Sequence, residues 1–146
     1  MKIKTFFIAI LALLGLLVGA GHLAAEDSAH KIIVHSTNPA SSISRGDLSK
    51  IFLKKKTKWS DGRSANPVDL LEGSGTRASF SREVHNKSVD AIKAYWQHMV
   101  FTGRAVPPPL RVTVEEIVDY VQSNPGAVGY VPSDASVGNC KVLSVR

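Results

Sequence analysis

Short runs of β-branched residues alternate along this chain with stretches of helical periodicity, and this alternation limits the fold more than any other feature. The β-branched runs, each with Gly, Pro or Asn close by, predict strands over 31–35, 67–71, 127–131 and 141–145. The spacing of apolar residues predicts helices from Ser44 to about Leu53, over 78–84, from Ser88 to about Phe101, and from Thr113 to Asn124. Interleaved strands and helices predict an α/β fold, with a small, mostly parallel sheet flanked by helices.

The N-terminal segment has the pattern of a secretory signal peptide. Lys2 and Lys4 precede an unbroken apolar run over 6–18, and small residues follow up to Ala25. The run is too short for a membrane-spanning helix, which needs about 20 residues. We therefore predict a signal peptide over 1–25, cleavage near Ala20 or Ala25, and a single exported domain over 26–146.

Charge and residue usage exclude several classes of function. The formal net charge is +6, and removal of Lys2 and Lys4 lowers it to +4. Because an exported protein with so small a basic excess does not meet nucleic acid, we expect no nucleic-acid partner. Cys140 is the only cysteine in the sequence, so it forms no internal disulfide and supports no cysteine-based metal centre.

The sequence contains no pattern typical of a catalytic, metal or cofactor site. The histidines form no His-x-x-x-His pair, and His85 and His98 are expected to be surface residues on helices. A dinucleotide fingerprint fits only as Gly73-x-Gly75-x-x-Ala78, and the sequence after it is helical where a second strand should follow. We therefore expect a protein without enzymatic activity, metal or cofactor.

The stretch Glu72-Gly73-Ser74-Gly75-Thr76-Arg77 is the most informative motif, since it lies where a predicted strand gives way to a helix. First-turn amides of a helix lack intrahelical partners and attract anions. Ser74 and Thr76 supply hydroxyls, Gly75 allows close approach to the backbone, and Arg77 supplies a charge. The alternative is that Ser74 or Thr76 only caps its own helix.

A basic loop forms the second candidate for a functional surface. Lys54, Lys55, Lys56 and Lys58 place four positive charges in five positions, next to Trp59. Such charge runs are typical of solvated loops. The alternative is a docking patch for an acidic partner or an anionic surface, in which case Trp59 still anchors the loop to the core.

Four motifs, taken in order, resemble the periplasmic phosphate-binding proteins of ABC transporters, and especially their short, single-lobe relatives. These motifs are the run DLSKIF at 47–52, the basic loop with WSDG at 54–62, GSGT at 73–76 and PGAVGYV at 125–131. The resemblance covers about 32–145. It implies one lobe of a periplasmic-binding-protein-like (type II) fold.

The resemblance also implies a function. In that family the Ser-Gly-Thr segment donates hydrogen bonds to phosphate, which here implicates Ser74, Gly75 and Thr76. The family has an arginine where this chain has Leu70, and Arg77 is a candidate replacement for its charge. The implied function is solute binding for phosphate or a similar oxyanion in the periplasm, next to a membrane transporter or sensor subunit, with a homodimer left open. The alternative is a ligand-free interaction or regulatory module on the same lobe.

Overall fold

The computed structural model describes residues 29–146. The predicted signal peptide over 1–25 and its cleavage site lie outside the described residues. Within 29–146, no helix is long and apolar enough to cross a membrane.

The described chain alternates strands and helices, as the sequence predicts. Its elements are β1 (His30–Val34), β2 (Ser42–Ile43), α1 (Arg45–Phe52), β3 (Asn66–Pro67), β4 (Asp69–Leu70), α2 (Gly75–Phe80), a π-helical turn (Ser81–His85), α3 (Val89–Phe101), β5 (Leu110–Arg111), α4 (Val114–Ser123), β6 (Ala127–Pro132) and β7 (Lys141–Val145). The α/β class is confirmed. The short strands β2 and β5 were not predicted, because two residues are too few to show a strand pattern.

Five of the described strands form one sheet in the order β2-β7-β1-β6-β3. Pairs β2–β7 and β3–β6 are parallel, whereas the central strand β1 runs antiparallel to both β6 and β7. Four of these five strands share one direction, but the central β1 makes two of the four strand pairs antiparallel, so the sheet is mixed rather than mostly parallel as the sequence predicts. The pattern did not reveal this, because the buried run Ile32, Ile33 and Val34 reads the same with parallel or antiparallel neighbours.

Capping side chains set the starts of the helices. Ser44 Oγ accepts a hydrogen bond from the Asp47 amide (3.1 Å), which fixes the start of α1. Thr113 and Glu116 form the predicted capping box of α4, with both reciprocal bonds at 3.2 Å. Both predicted helix starts are confirmed.

The predicted strand over 67–71 is divided between two sheets. The Val68 amide still donates to the Val128 carbonyl of the main sheet (2.9 Å), whereas the next amide, of Asp69, donates to the Pro109 carbonyl (2.9 Å). The chain therefore leaves the main sheet after Val68 and pairs as β4 with β5. The following loop begins at the end of this small two-stranded sheet.

Helix α4 packs closely on strand β6 at Gly129. A Cβ atom at Gly129 would lie 2.9 Å from Ile117 Cγ2 and 3.0 Å from Val68 Cγ1, so the position has no room for a side chain. Because successive strand residues point to opposite faces, the neighbouring Tyr130 lies on the other face of the sheet, where it packs on Phe52 and Phe80. This packing fixes the orientation of β6 next to β4 and the loop after it.

Candidate functional site

Ser74 closes a tight turn at the end of β4 and starts helix α2. Its amide donates to the Leu71 carbonyl (3.1 Å), and its Oγ accepts from the Arg77 amide (3.3 Å). Ser74 is therefore the N-cap of α2, and the helix begins at Gly75 rather than at the predicted position 78. A hydroxyl that accepts one hydrogen bond still has its own hydrogen to donate.

The first turn of α2 presents unpaired donors to solvent. The amides of Gly75 and Thr76, like the Thr76 hydroxyl, have no acceptor among the described residues. No atom lies within 4 Å of the position that a Cβ would take on Gly73 or Gly75. The loop is therefore open, and its donors are concentrated in three consecutive residues, Ser74, Gly75 and Thr76.

The side chain of Arg77 turns away from solvent toward β4. Its Nη1 lies 2.8 Å from Asp69 Oδ2 and also donates to the Leu70 carbonyl. Arg77 is 5% exposed and Asp69 is 6% exposed, so this ion pair is almost entirely buried. The guanidinium thus lies at the backbone of Leu70, the position where the resembled family has its arginine.

The Asp69 carboxylate is the centre of a buried polar network. Its Oδ1 accepts from the Leu70 amide (2.9 Å) and from the Tyr130 hydroxyl, while Oδ2 faces Arg77. Burial raises the pKa of Asp69, against the opposing effects of Arg77, Tyr130 and the Leu70 amide. Burial also raises the pKa of Tyr130, and the negative charge of Asp69 adds to this shift.

The sequence analysis missed Asp69 and Tyr130. One signal was present, since Asp69 places a charge inside the apolar stretch PVDLL, and a buried charge needs a partner. The partners could not be identified from the sequence, because Asp69 lies on β4 whereas Arg77 lies on α2 and Tyr130 on β6. The network connects β4, α2 and β6, and it fixes the base of the open loop.

Stacked aromatic rings hold α2 against the sheet. The rings of Phe80 and Tyr130 are parallel within 4°, with centroids 3.9 Å apart. Phe52 of α1 packs on both rings, at 4.7 Å and 5.7 Å. Because Tyr130 also binds Asp69, this stack and the polar network form one rigid support beneath the first turn of α2.

His85 contradicts the prediction of a surface residue. Its ring packs edge-on against Phe80 at 5.3 Å, and its Nδ1 lies 2.8 Å from Ser49 Oγ. Burial, followed by nearby cations of which Arg77 acts most strongly, lowers the pKa of His85 to about 4. His85 is thus half-buried rather than exposed, because it ends the π-helical turn against α1 and contacts Ser49 there. His98 is exposed on α3, as predicted.

Trp59 anchors the basic loop to the core, as the sequence predicts. Its side chain is 7% exposed, and its Nε1 donates to the Gly126 carbonyl (2.9 Å). The indole therefore faces inward and leaves the lysines as the accessible part of this loop.

The four lysines of the basic loop have different environments. Lys56 Nζ lies 3.1 Å from Asp47, and Lys55 Nζ lies 5.6 Å from the ring centre of Tyr95. Lys58 is exposed, and Lys54 is partly buried in a left-handed conformation with φ 58°. The loop presents a positive surface, whose charge Asp47 partly compensates.

The open loop lies outside the large grooves of the described residues. A groove of about 850 Å³ lies elsewhere, between β1, β7 and the π-helical turn, and neither it nor a smaller groove beside α4 is lined by residues of 74–77. The described residues also contain no group of three or more His, Cys, Asp or Glu side chains arranged to hold a metal ion. A solute at Ser74–Thr76 would therefore bind at an open surface.

Comparison with solved structures finds several proteins of the same fold. A phosphate ABC transporter substrate-binding protein from Clostridium perfringens, solved with bound phosphate, superposes with a TM-score of 0.62 at 22% identity, over 80% of this chain and 44% of its own. An ABC-type phosphate transport receptor from Vibrio cholerae gives a TM-score of 0.64 at 19% identity, over 80% of this chain and 46% of its own. PstS from Borrelia burgdorferi gives 0.61 at 17% identity, over 81% of this chain and 47% of its own.

This chain spans less than half the length of those proteins, and identities this low show a common fold. No match was found among curated protein sequences. The model of the PBP superfamily domain matches residues 29–139, which is most of the chain and contains every element from β1 to β6. The resemblance drawn from the motifs is thus confirmed for family and fold: the chain belongs to the PBP superfamily.

Proposed function

We propose that this protein is an exported solute-binding module for phosphate or a similar oxyanion, and that Ser74, Gly75 and Thr76 bind the anion. The observation that carries the proposal is the cluster of unpaired backbone amides and hydroxyls at the open start of α2. The similarity to a phosphate-bound substrate-binding protein supports the choice of anion. Arg77 supplies positive charge from beneath the loop, where its guanidinium pairs with Asp69.

The same reasoning gives the proposed location and partner. The apolar run over 6–18 and the resemblance to periplasmic proteins support export to the periplasm. The similar structures are named as components of ABC-type phosphate transport, which supports a membrane transporter subunit as the partner. The protein itself has no catalytic role in this proposal.

Substitution of Gly75 by Asp tests the proposed site. No atom lies within 4 Å of the new Cβ, and an acidic residue in the first turn of a helix is favourable, so the variant should fold. The added carboxylate repels a bound anion. We expect saturable binding of phosphate and sulfate to the wild type by calorimetry, and its loss in Gly75→Asp.

Gly46→Asp is the matched control for this test. Gly46 also lies in the first turn of a helix, α1, with no atom within 4 Å of its Cβ position. This variant should bind phosphate as the wild type does. Equal binding by the wild type and by Gly75→Asp would show that the first turn of α2 is not the site.

A ligand-free interaction module is the second candidate. Leu70 in place of the family's arginine, and the open surface around Ser74, both favour it. In this case the basic loop of Lys54, Lys55, Lys56 and Lys58 contacts an acidic membrane partner. A partner that co-purifies with Gly75→Asp, but not with a variant in which these lysines are changed to Glu, supports this candidate over anion binding.

A further inference from the structure

The buried pair of Asp69 and Arg77 carries a positive and a negative charge 2.8 Å apart beneath the proposed anion site. Arg77 is the third residue of α2, two positions after Gly75. The residue therefore follows the unpaired donors directly along the helix, and Asp69 largely cancels the charge of its guanidinium for any solute outside. The Arg77 guanidinium opposes the effect of burial on the pKa of Asp69 and favours its ionised form.

The geometry leaves part of the guanidinium unused. Nη1 makes the bonds to Asp69 and to the Leu70 carbonyl, while Nε and Nη2 have no acceptor among the described residues. The side chain of Arg77 is only 7% exposed, so its charge acts on a solute outside through the intervening loop rather than by direct contact. A small solute near Ser74 can thus be affected by Arg77, and by Asp69 behind it.

We propose that Asp69 is a specificity-determining residue, which keeps the affinity of this site for anions low by neutralising Arg77. This inference rests on the proposed function. Coulomb repulsion from Asp69 acts twice as strongly on a dianion as on a monoanion, so the pair also reduces the preference for dianions such as sulfate. Removal of the carboxylate charge should strengthen anion binding, which is opposite in sign to the effect of simple structural damage.

Substitution Asp69→Asn separates these two effects. Asparagine retains the oxygen that accepts from the Leu70 amide and the Tyr130 hydroxyl, but it leaves the charge of Arg77 uncompensated. We expect about tenfold tighter binding of sulfate and about threefold tighter binding of nitrate, although the variant is less stable. Binding is measured by calorimetry and stability by urea unfolding.

Thr113→Ala is the control for lost stability, since it removes only the cap of α4. It should leave the affinity for sulfate unchanged. If Asp69→Asn binds sulfate no more tightly than the wild type does, the proposed role of Asp69 is overturned, but the proposed function is not. If neither the wild type nor Asp69→Asn shows saturable binding, both this role and the proposed function are overturned.

A second comparison applies if Asp69→Asn does not fold. When binding is measured above the raised pKa of Asp69, Arg77→Gln leaves the charge of this carboxylate uncompensated, and the double variant with Asp69→Asn removes it. We expect Arg77→Gln to lose sulfate affinity more than nitrate affinity, and the double variant to recover mainly sulfate affinity. Equal recovery for both anions would assign the change to restored structure and contradict the proposal.

Discussion

His85 and Arg77 show how a residue's surroundings decide its chemistry. Both are polar residues in the helical stretch formed by α2 and the π-helical turn, just outside the predicted bounds 78–84, and both turn inward in the fold. Arg77 is charged and pairs with Asp69, whereas His85 lies among aromatic rings, where burial favours its neutral form. The difference arises because one residue meets a carboxylate and the other meets a serine hydroxyl and two phenyl rings.

The lowered pKa of His85 predicts a loss of stability in mild acid. The pKa is about 4 in the folded protein, against about 6.5 for an unperturbed histidine. The unfolded chain therefore binds more protons, so the contribution of His85 is fully present above pH 6.5 and is lost as the pH falls toward 4. We expect a loss of about 2 to 3 kcal/mol in the free energy of unfolding from this group.

Urea unfolding of the wild type and of His85→Gln between pH 7.5 and about 4 measures this loss. The variant should show a shallower dependence on pH, while His98→Gln, on the exposed face of α3, should follow the wild type. The burial of His30, which also lowers its pKa, contributes equally to all three proteins. Parallel curves for the wild type and His85→Gln would contradict the lowered pKa of His85.

At the scale of elements, close packing of α4 on β6 orients the strand that carries Tyr130. Gly129 allows this contact, since Ile117 and Val68 occupy the space of a side chain. Tyr130 then reaches β4 and α2 through Asp69 and Phe80. The position of the open loop thus depends on helix packing at a distance from it.

Two glycine substitutions test this packing. Gly129→Ala should lower the free energy of unfolding by about 1 to 3 kcal/mol, because the new methyl group overpacks against Ile117. Gly46→Ala, in the first turn of α1 with open space around its Cβ position, should raise it by up to about 1 kcal/mol. Thermal and urea unfolding measure both changes, and a neutral Gly129→Ala would show that α4 and β6 pack less closely.

At the scale of the whole molecule, the open surface around Gly73 and Gly75 argues for weak binding. A helix terminus contributes about 0.3 to 1 kcal/mol to holding an anion, and about 2 kcal/mol when partly buried. A Kd of about 1 mM already requires about −4.1 kcal/mol. Solvent and salt screen the remaining electrostatic attraction at an exposed site.

We therefore expect the monomer to bind phosphate with a Kd near 1 mM. Tighter binding should require closure of the site by a second copy or by a partner. Calorimetry combined with sedimentation analysis of the same samples tests this expectation. Micromolar binding by a protein that sediments as a monomer would contradict it.

Local patterns predicted most elements and the position of the site loop. Ser44 and Thr113 mark helix starts because capping acts within three residues, which a sequence displays directly. The strand over 67–71 was less predictable, since its division after Val68 depends on two different partners, β6 and β5. The buried network was missed for the same reason: its members are distant in sequence and meet only through packing.

The sequence by itself determined the α/β class, the caps of α1 and α4, and the cluster of donors at Ser74, Gly75 and Thr76, because each depends on interactions between near neighbours. Only the tertiary structure decided the reversed direction of β1, the burial of His85 and the pairing of Arg77 with Asp69. These depend on which distant segments approach each other. The packing of these segments decides which residues are buried and which charges pair. It therefore sets the charge that the proposed site presents to an anion.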